Sequence, residues 1–230
     1  MKALRENIEL PGNTAEYSFD RIERLEGNPL EGRRICVLGS SVVKGAASND
    51  AAIAEYLGAR LGCEYTKSSV NGTTLADAGP ESYIKRLRKL DPGCGYDLFI
   101  CQLSTNDATQ AKPLGDISNN GQFDTDTVTG AIEYIITYAR DTWGCPVVFF
   151  TGSRYDSERY GAMVSRLREL QEKYDIGVID LWSGEDFNQI SEEDRCLYMK
   201  DGIHPTRAGY RDWWGPEFEK QLLDHLGREK

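Results

Sequence analysis

Asp201 and His204 stand three residues apart in a chain that contains only two histidines among 230 residues. A carboxylate at this spacing can accept the imidazole Nδ1–H and leave the other ring nitrogen free to take a proton, as in the base half of a Ser-His-Asp relay. Few other side chains here can act as a base near neutral pH. An ordinary Asp–His hydrogen bond in a loop would have the same spacing, so the interpretation depends on finding a nucleophile and oxyanion donors.

Three further segments supply those groups, and each directly follows an apolar run. Ser41 lies in a Gly-Ser-Ser turn, Gly72 follows an asparagine, and Asn106 stands between threonine and aspartate. A serine hydroxyl can attack an acyl carbonyl, with His204 as general base and Asp201 orienting it. The backbone N–H groups of Ser41 and Gly72 and the side-chain amide of Asn106 could then hold the developing oxyanion. The predicted site is that of a serine esterase.

The elements that must position these groups alternate between strand and helix patterns. Segments of helical period, such as 51–61 and 128–143, separate the apolar runs. The runs of strand length are 34–40, 64–70, 96–103, 146–151 and 176–181. The alternation predicts right-handed crossovers and a largely parallel sheet with helices on both faces. Ligands of such sheets bind beyond the carboxyl ends of the strands, where all the candidate residues lie.

The chain is predicted to form one domain over residues 32–230, preceded by an irregular arm over residues 1–31. The arm is polar and is broken by Pro11-Gly12 and Asn28-Pro29. A chain of 230 residues has room for one α/β domain with a substantial core. At the other end, Gly215-Pro216 is predicted to interrupt a helical tail.

The four segments resemble the blocks of the SGNH, or GDSL-type, hydrolases. That family is named for a serine, a glycine, an asparagine and a histidine in four blocks, and its first block begins Gly-Asp-Ser. Residues 39–45, 71–72, 105–107 and 201–205 stand here in the same order. The resemblance implies a flavodoxin-like three-layer α/β/α sandwich with a five-stranded parallel sheet. It also implies ester hydrolysis without a metal or organic cofactor, and it assigns the family roles to Ser41, Gly72, Asn106, Asp201 and His204.

Two positions depart from the family pattern. Ser40 replaces the aspartate of the first block, and Ser104 replaces the glycine commonly found two residues before the asparagine. Neither position supplies the nucleophile, the base or an oxyanion donor, so we expect the mechanism to be retained, with consequences for turn geometry and rate. Alignment of the blocks makes Ser41 the nucleophile in preference to Ser40.

Two long segments are expected to shape specificity. Residues 108–123 are too long and polar for a simple connection, and loops of this kind are often lids. Residues 182–198 mix aromatic and acidic side chains. The alternative is that their aromatic rings only pack beneath the loops. The aromatic residues predicted to line an acyl or sugar pocket are Tyr155, Trp182, Phe187 and Tyr198.

Composition limits the partners of this chain. Its net charge of −10 and pI of about 4.8 disfavour binding to nucleic acid and to anionic membrane surfaces. No apolar run has the length of a membrane span, no secretory signal is visible, and six scattered cysteines suit reduced thiols, so we expect a cytoplasmic protein. The sequence predicts no zinc site, and it leaves undecided whether carboxylates alone bind a divalent ion. It does not indicate the oligomeric state.

The leading hypothesis is hydrolysis of a short acyl ester of a polar alcohol such as a carbohydrate, because no long apolar groove is readable. A lysophospholipase or thioesterase is an alternative within the same chemistry. An alternative of another class is a flavodoxin-like module that binds phosphate or flavin mononucleotide with its serine-rich turn, although this leaves Asp201 and His204 unexplained. A non-catalytic carbohydrate-binding relative is a third, and the complete set of serine, asparagine and histidine counts against it.

Overall fold

Five parallel strands form the centre of the protein in a computed structural model, which describes residue 7 and residues 9–228. The strands are β1 (Arg34–Gly39), β2 (Glu64–Ser69), β3 (Leu98–Gln102), β4 (Val147–Phe150) and β5 (Gly177–Ile179). Their spatial order is β2-β1-β3-β4-β5, and every pairing is parallel. The order reverses at β1, so the crevice for a ligand is expected beyond the carboxyl ends of β1 and β3.

Helices connect the strands. They are α1 (Ser41–Lys44), α2 (Ile53–Leu61), α3 (Tyr83–Leu87), α4 (Thr105–Thr109), α5 (Val128–Trp143), α6 (Glu158–Tyr174), α7 (Glu185–Asn188), α8 (Glu192–Tyr198) and α9 (Gly215–Arg228). None of the helices described here is both long and apolar enough to cross a bilayer.

The sheet is covered on both faces, and alternate residues of β1 show this directly. Ile35 and Val37 belong to a core shared with α2 and α9, whereas Cys36 and Leu38 belong to a second core shared with α3, α5 and α6. Strands buried on both faces must be apolar throughout, which explains the near-continuous hydrophobic runs. The predicted three-layer α/β/α sandwich with five parallel strands is therefore confirmed.

The C-terminal tail differs from its prediction. The sequence predicts an interruption at Gly215-Pro216, but a π-helical turn, Gly209–Trp214, leads directly into α9 at Gly215. Gly215 has helical backbone angles and its N–H donates to the carbonyl of Tyr210, so the backbone is still helical where it reaches Pro216. A Cβ on Gly215 would lie 2.5 Å from the ring of Tyr56, so glycine lets the tail pass α2 closely without a break.

Residues 9–33, before β1, are irregular and lie against the domain. They contain three short 3₁₀ turns, Pro11–Asn13, Ala15–Tyr17 and Phe19–Arg21. Phe19 packs edge-on against Tyr56 of α2, with ring centroids 6.4 Å apart. The backbone of this arm also bonds to the end of α2, where the N–H of Leu25 donates to the carbonyl of Arg60. The arm is thus part of the packed structure.

Candidate active site

The turn from β1 into α1 presents one serine and buries the other. A Cβ on Gly39 would lie 2.2 Å from the side chain of Val43, so only glycine allows so sharp a turn. Ser40 has no exposed surface, and its N–H and hydroxyl both donate to Gln102 Oε1, at 2.9 and 3.3 Å. Ser41 is the first residue of α1 and has 7% of its surface exposed. The geometry therefore favours Ser41 over Ser40 as the reactive group.

The side chains of Ser41, His204 and Asp201 form a continuous hydrogen-bonded chain. Ser41 Oγ lies 2.8 Å from His204 Nε2, and His204 Nδ1 lies 2.9 Å from Asp201 Oδ2. The Asp201 carboxylate also accepts the backbone N–H groups of Ile203 and His204. Burial raises the pKa of Asp201, but these hydrogen bonds outweigh it and lower the pKa to about 2. An ionised Asp201 holds the imidazole proton on Nδ1 and leaves Nε2 to accept the serine proton.

A closed loop carries Asp201 and His204. Met199 and Pro205 form an isolated antiparallel bridge, and the N–H of Lys200 donates to the carbonyl of His204 at 2.9 Å. These contacts shape residues 199–205, hereafter the histidine loop, into a tight turn whose tip reaches over α1. The three-residue spacing read from the sequence is the spacing this turn requires to fold the imidazole back onto the carboxylate.

The predicted donor Asn106 lies at the start of α4 and contacts the loop that carries Gly72. Asn106 Nδ2 donates to the carbonyl of Thr73 at 3.0 Å, and the amide has a second N–H for a ligand. Gly72 is exposed and has a φ of 75°, a left-handed conformation that favours glycine. Its carbonyl accepts from Gln110 Nε2 at 3.0 Å, so α4 also fixes this part of the loop after β2. The structure thus brings Gly72 and Asn106 together.

We expect Asn106→Ala to lower kcat by about 10²–10³-fold with little change in KM, because an oxyanion donor acts mainly in the transition state. Thr109→Ala is the matched control, since Thr109 lies on the same short helix and bonds only to the carbonyl of Thr105 among the contacts described. Steady-state kinetics with p-nitrophenyl acetate would measure both variants. A folded Asn106→Ala enzyme with kcat within threefold of the wild type would contradict the role of Asn106.

Sequence reasoning missed Arg86, which is buried beneath the site. Its guanidinium donates to the carbonyl oxygens of Gly39 at 2.7 Å and Ser68 at 2.6 Å, beside the ends of β1 and β2. It also donates to Thr73 Oγ1 at 3.2 Å. Burial lowers the pKa of Arg86, although arginine remains charged. One cation therefore ties the nucleophile turn to the oxyanion loop, and its only sequence signal is a charge within the apolar face of α3.

Asp107 holds the same loop from the other side. The carboxylate is buried and accepts the backbone N–H groups of Leu75 and Ala76, at 2.7 and 3.0 Å. Burial raises the pKa of Asp107, and these hydrogen bonds oppose the rise. Asp107 has the contacts of a structural residue, whereas its neighbour Asn106 is partly exposed.

The four aromatic residues predicted to bind substrate separate into two groups. Tyr155 packs against Trp182, with ring centroids 5.4 Å apart, and a Cβ on Gly202 would lie 3.7 Å from Tyr155 Cβ. This pair belongs to the core next to α6. Phe187 and Tyr198 instead stack on a third ring, at 5.0 and 6.0 Å, on the opposite side of the sheet. The structure does not bring the four rings into one cluster, and their role in binding stays a prediction.

The ring on which Phe187 and Tyr198 stack is that of Trp213. It is buried, and its indole N–H donates to the carbonyl of Phe187 at 2.9 Å.

The segment 108–123, predicted as a potential lid, is anchored to two helices. The carbonyl of Gly115 accepts from Arg166 on α6 at 2.6 Å, and the N–H of Ser118 donates to Glu133 on α5 at 3.0 Å. Glu133 is fully buried and is also paired with Lys173 at 2.7 Å. These bonds fix the middle of the segment, while residues 119–122 are exposed.

Within the described part of the chain, no three His, Cys, Asp or Glu side chains lie together in a way that could hold a metal ion.

Comparisons with known proteins connect this geometry to a family. The chain matches the GDSL-like lipase/acylhydrolase family over residues 37–211. No curated protein has a significant sequence match to it. A proposed GDSL-like lipase from Bacteroides ovatus has a similar fold, with a TM-score of 0.58 and 19% identity over 87% of this chain and 100% of its own.

Two further solved structures share the fold. A proposed lipolytic protein of the G-D-S-L family from Desulfitobacterium hafniense has a TM-score of 0.64 and 15% identity, covering 84% of this chain and 99% of its own. The acetyl xylan esterase AlAXEase has a TM-score of 0.57 and 14% identity, covering 85% of this chain and 98% of its own. At these identities the structures establish a common architecture.

Proposed function

Because the chain belongs to the GDSL-like lipase/acylhydrolase family, whose members are hydrolases acting on esters, we propose that it is a serine esterase that removes a short acyl group from a polar alcohol such as a carbohydrate. The observation that carries this proposal is the chain of contacts from Ser41 Oγ to His204 Nε2 at 2.8 Å and from His204 Nδ1 to Asp201 at 2.9 Å.

In the first half of the reaction, Ser41 Oγ attacks the ester carbonyl carbon while its proton passes to His204 Nε2. The carbonyl oxygen becomes the oxyanion and is held by the N–H groups of Ser41 and Gly72 and by the Asn106 amide. His204 then gives its proton to the alcohol oxygen. The C–O bond of the ester breaks, the alcohol leaves, and the acyl group remains on Ser41.

In the second half, water replaces the alcohol. His204 takes a proton from the water as it attacks the acyl-enzyme, and the same donors hold the second oxyanion. The proton then returns from His204 to Ser41 Oγ as the acid leaves, which restores the resting site. Throughout, Asp201 stabilises the imidazolium without accepting its proton, as expected for a carboxyl with a pKa of about 2.

The surface near the site supports a short acyl group in preference to a lipid. Among the described residues, Tyr65 is the one large hydrophobic side chain that is exposed. It pairs with Ile35 near the start of β1, at the opposite end of the sheet from Ser41. The site itself is bordered by exposed polar residues such as Asn71 and Lys200. Enzymes that work on lipid surfaces need an exposed apolar patch, whereas these exposed border residues are polar.

The acetyl xylan esterase with the same fold is consistent with a short acyl ester of a polar alcohol as substrate, since an acetylated polysaccharide is such an ester.

A series of p-nitrophenyl esters from acetate to palmitate would test the substrate class. We expect kcat/KM to be highest for acetate and to fall at least tenfold by octanoate, because the exposed residues that border the site, such as Asn71 and Lys200, are polar and would not stabilise a longer chain. Release of acetate from acetylated oligosaccharides would test the polar alcohol, with the deacetylated oligosaccharides as the control. A rise in kcat/KM towards octanoate would contradict the proposal and favour a lysophospholipase or thioesterase.

A further inference from the structure

Two asparagines of the N-terminal arm connect the two halves of the catalytic relay. Ser41 and His204 are 163 residues apart and belong to different elements, so their hydrogen bond depends on how the histidine loop sits against the segment after α1. Asn7 and Asn13 lie between these two segments and are 6% and 5% exposed. Buried amides normally have hydrogen-bond partners, and the partners of this pair have a common pattern.

Asn13 uses both ends of its amide. Its Nδ2 donates to the carbonyl of Ala47 at 2.7 Å, six residues after Ser41, and to the carbonyl of Asn7 at 2.6 Å. Its Oδ1 accepts the backbone N–H of Arg207 at 2.9 Å, three residues after His204. One planar group thus sets the spacing between the backbone that follows the nucleophile and the backbone that follows the base.

Asn7 also connects the segment after the nucleophile with the segment that carries the base, through Ala46 and Lys200. Its Nδ2 donates to the carbonyl of Ala46 at 2.5 Å, and its Oδ1 accepts from Lys200 Nζ at 2.8 Å, directly before Asp201. The two amides therefore bracket the histidine loop, with Lys200 held on one side and Arg207 on the other.

The arm backbone lies tightly against the base of the same loop. A Cβ on Gly12 would lie 2.1 Å from the carbonyl oxygen of Leu197 and 2.2 Å from Thr206 Oγ1, so the arm reaches this position only with glycine. Thr206 in turn donates to the carbonyl of Leu197 at 2.8 Å and accepts the N–H of Gly209 at 3.2 Å. Displacement of Asn13 would therefore be transmitted to the histidine loop through direct contacts.

We propose that Asn7 and Asn13 are positioning residues that hold His204 within hydrogen-bonding distance of Ser41. The proposal rests on the proposed function, because it concerns the rate of the reaction at that site. A misplacement of about 1 Å between reacting groups can cost about 10²-fold in rate. Both positioning residues belong to the N-terminal arm, outside the sheet, so the conformation of the arm governs the activity of the site.

Asn28 offers a matched control within the same arm. Its Nδ2 also donates to two carbonyls, those of Leu25 at 2.6 Å and Leu61 at 2.9 Å, and its Oδ1 also accepts a backbone N–H, that of Leu30 at 2.9 Å. Leu61 is the last residue of α2, Leu25 and Leu30 lie in the arm itself, and none of the three belongs to a catalytic segment. Asn28→Ala therefore removes as many hydrogen bonds as Asn13→Ala without touching the relay.

The experiment compares kcat for Asn13→Ala and Asn28→Ala with p-nitrophenyl acetate, at a temperature where thermal melts show both variants folded. We expect Asn13→Ala to lower kcat by about 10²-fold with KM within twofold, and Asn28→Ala to keep kcat within threefold. In a His204→Ala background, Asn13→Ala should lower kcat less than threefold, because a positioning residue acts through His204. Equal losses in the two single variants, or an undiminished loss without His204, would overturn the proposal.

Two further measurements keep the result decisive. If Asn13→Ala does not fold, Asn7→Ala takes its place, with the same expected loss of kcat and the same overturning outcome. The ring resonances of His204 report its position without any substrate, and the chain has only one other histidine to assign. The His204 resonances should shift in Asn13→Ala and stay unchanged in Asn28→Ala. This expectation holds even if an active Ser41→Ala enzyme shows that the proposed function is wrong. An unchanged spectrum in Asn13→Ala would by itself refute the positioning role.

Discussion

Ser41→Ala should lower kcat towards p-nitrophenyl acetate by about 10⁴-fold or more while the protein stays folded. Ser41 supplies the only atom that would form a covalent bond to the acyl group, and its hydroxyl contacts His204 Nε2 at 2.8 Å. Removing this oxygen from a side chain at the start of a four-residue helix takes away one hydrogen bond and leaves α1 otherwise intact. The melting temperature should therefore change little, which separates a loss of chemistry from a loss of fold.

The neighbouring serine provides the control for this prediction. Ser40→Ala removes a buried hydroxyl that contacts Gln102 at 3.3 Å, so it should affect stability more than Ser41→Ala and turnover far less. An organophosphonate probe should add one covalent group to the wild type and to Ser40→Ala, and none to Ser41→Ala, as measured by mass spectrometry. A reactive Ser41→Ala protein would show that the nucleophile lies elsewhere.

The sheet and the relay were accessible from the sequence for different reasons. Apolar runs of strand length identify β1 and β3, because strands buried on both faces have to be hydrophobic throughout. Ser41, Gly72, Asn106 and His204 follow from a known order of motifs, and the predicted pairing of Asp201 with His204 corresponds to the 2.9 Å contact in the structure. In the structure Ser41, His204 and Asp201 form one chain of contacts, while the catalytic roles of all five residues stay predictions.

The supports of the site could not be read from the sequence. Arg86 and Asn13 act on backbone carbonyls that are 47 and 34 residues away, and such contacts leave no periodic pattern. The relative placement of the aromatic residues could not be predicted for a related reason, since residues 182–198 place Trp182 on one face of the sheet and Phe187 on the other. Which face a loop residue takes depends on packing, and composition does not encode it.

The supports share a physical principle. Gln102 fixes the backbone of Ser40 through a hydrogen bond of 2.9 Å, and Arg86 fixes the carbonyl of Gly39 at 2.7 Å. Asp107 fixes the oxyanion loop through the N–H groups of Leu75 and Ala76. Each uses a buried polar side chain to hold a backbone group, so the site is rigid before substrate arrives. Preorganised dipoles of this kind are effective because they need no rearrangement during the reaction.

Asp201→Asn should lower kcat by about 10⁴-fold, a loss comparable to that of the nucleophile itself. The Asp201 carboxylate accepts a hydrogen bond from the Nδ1–H of His204, whereas an asparagine at this position can turn its NH₂ group towards Nδ1. The imidazole would then keep its proton on Nε2, opposite Ser41 Oγ, and could not accept the serine proton. Two-dimensional NMR of the histidine ring nitrogens would detect the exchanged tautomer.

The pH dependence distinguishes this explanation from a general loss of structure. Because the pKa of Asp201 is lowered to about 2, its carboxylate is ionised across the range in which an esterase would be assayed. Wild-type activity should therefore show no step from the protonation of Asp201 above about pH 4. In Asp201→Asn, raising the pH should not restore kcat, because the wrong tautomer persists when the imidazole is neutral. Recovery of wild-type kcat at alkaline pH would show that Asp201 acts only by its charge, and the assigned orienting role would then be wrong.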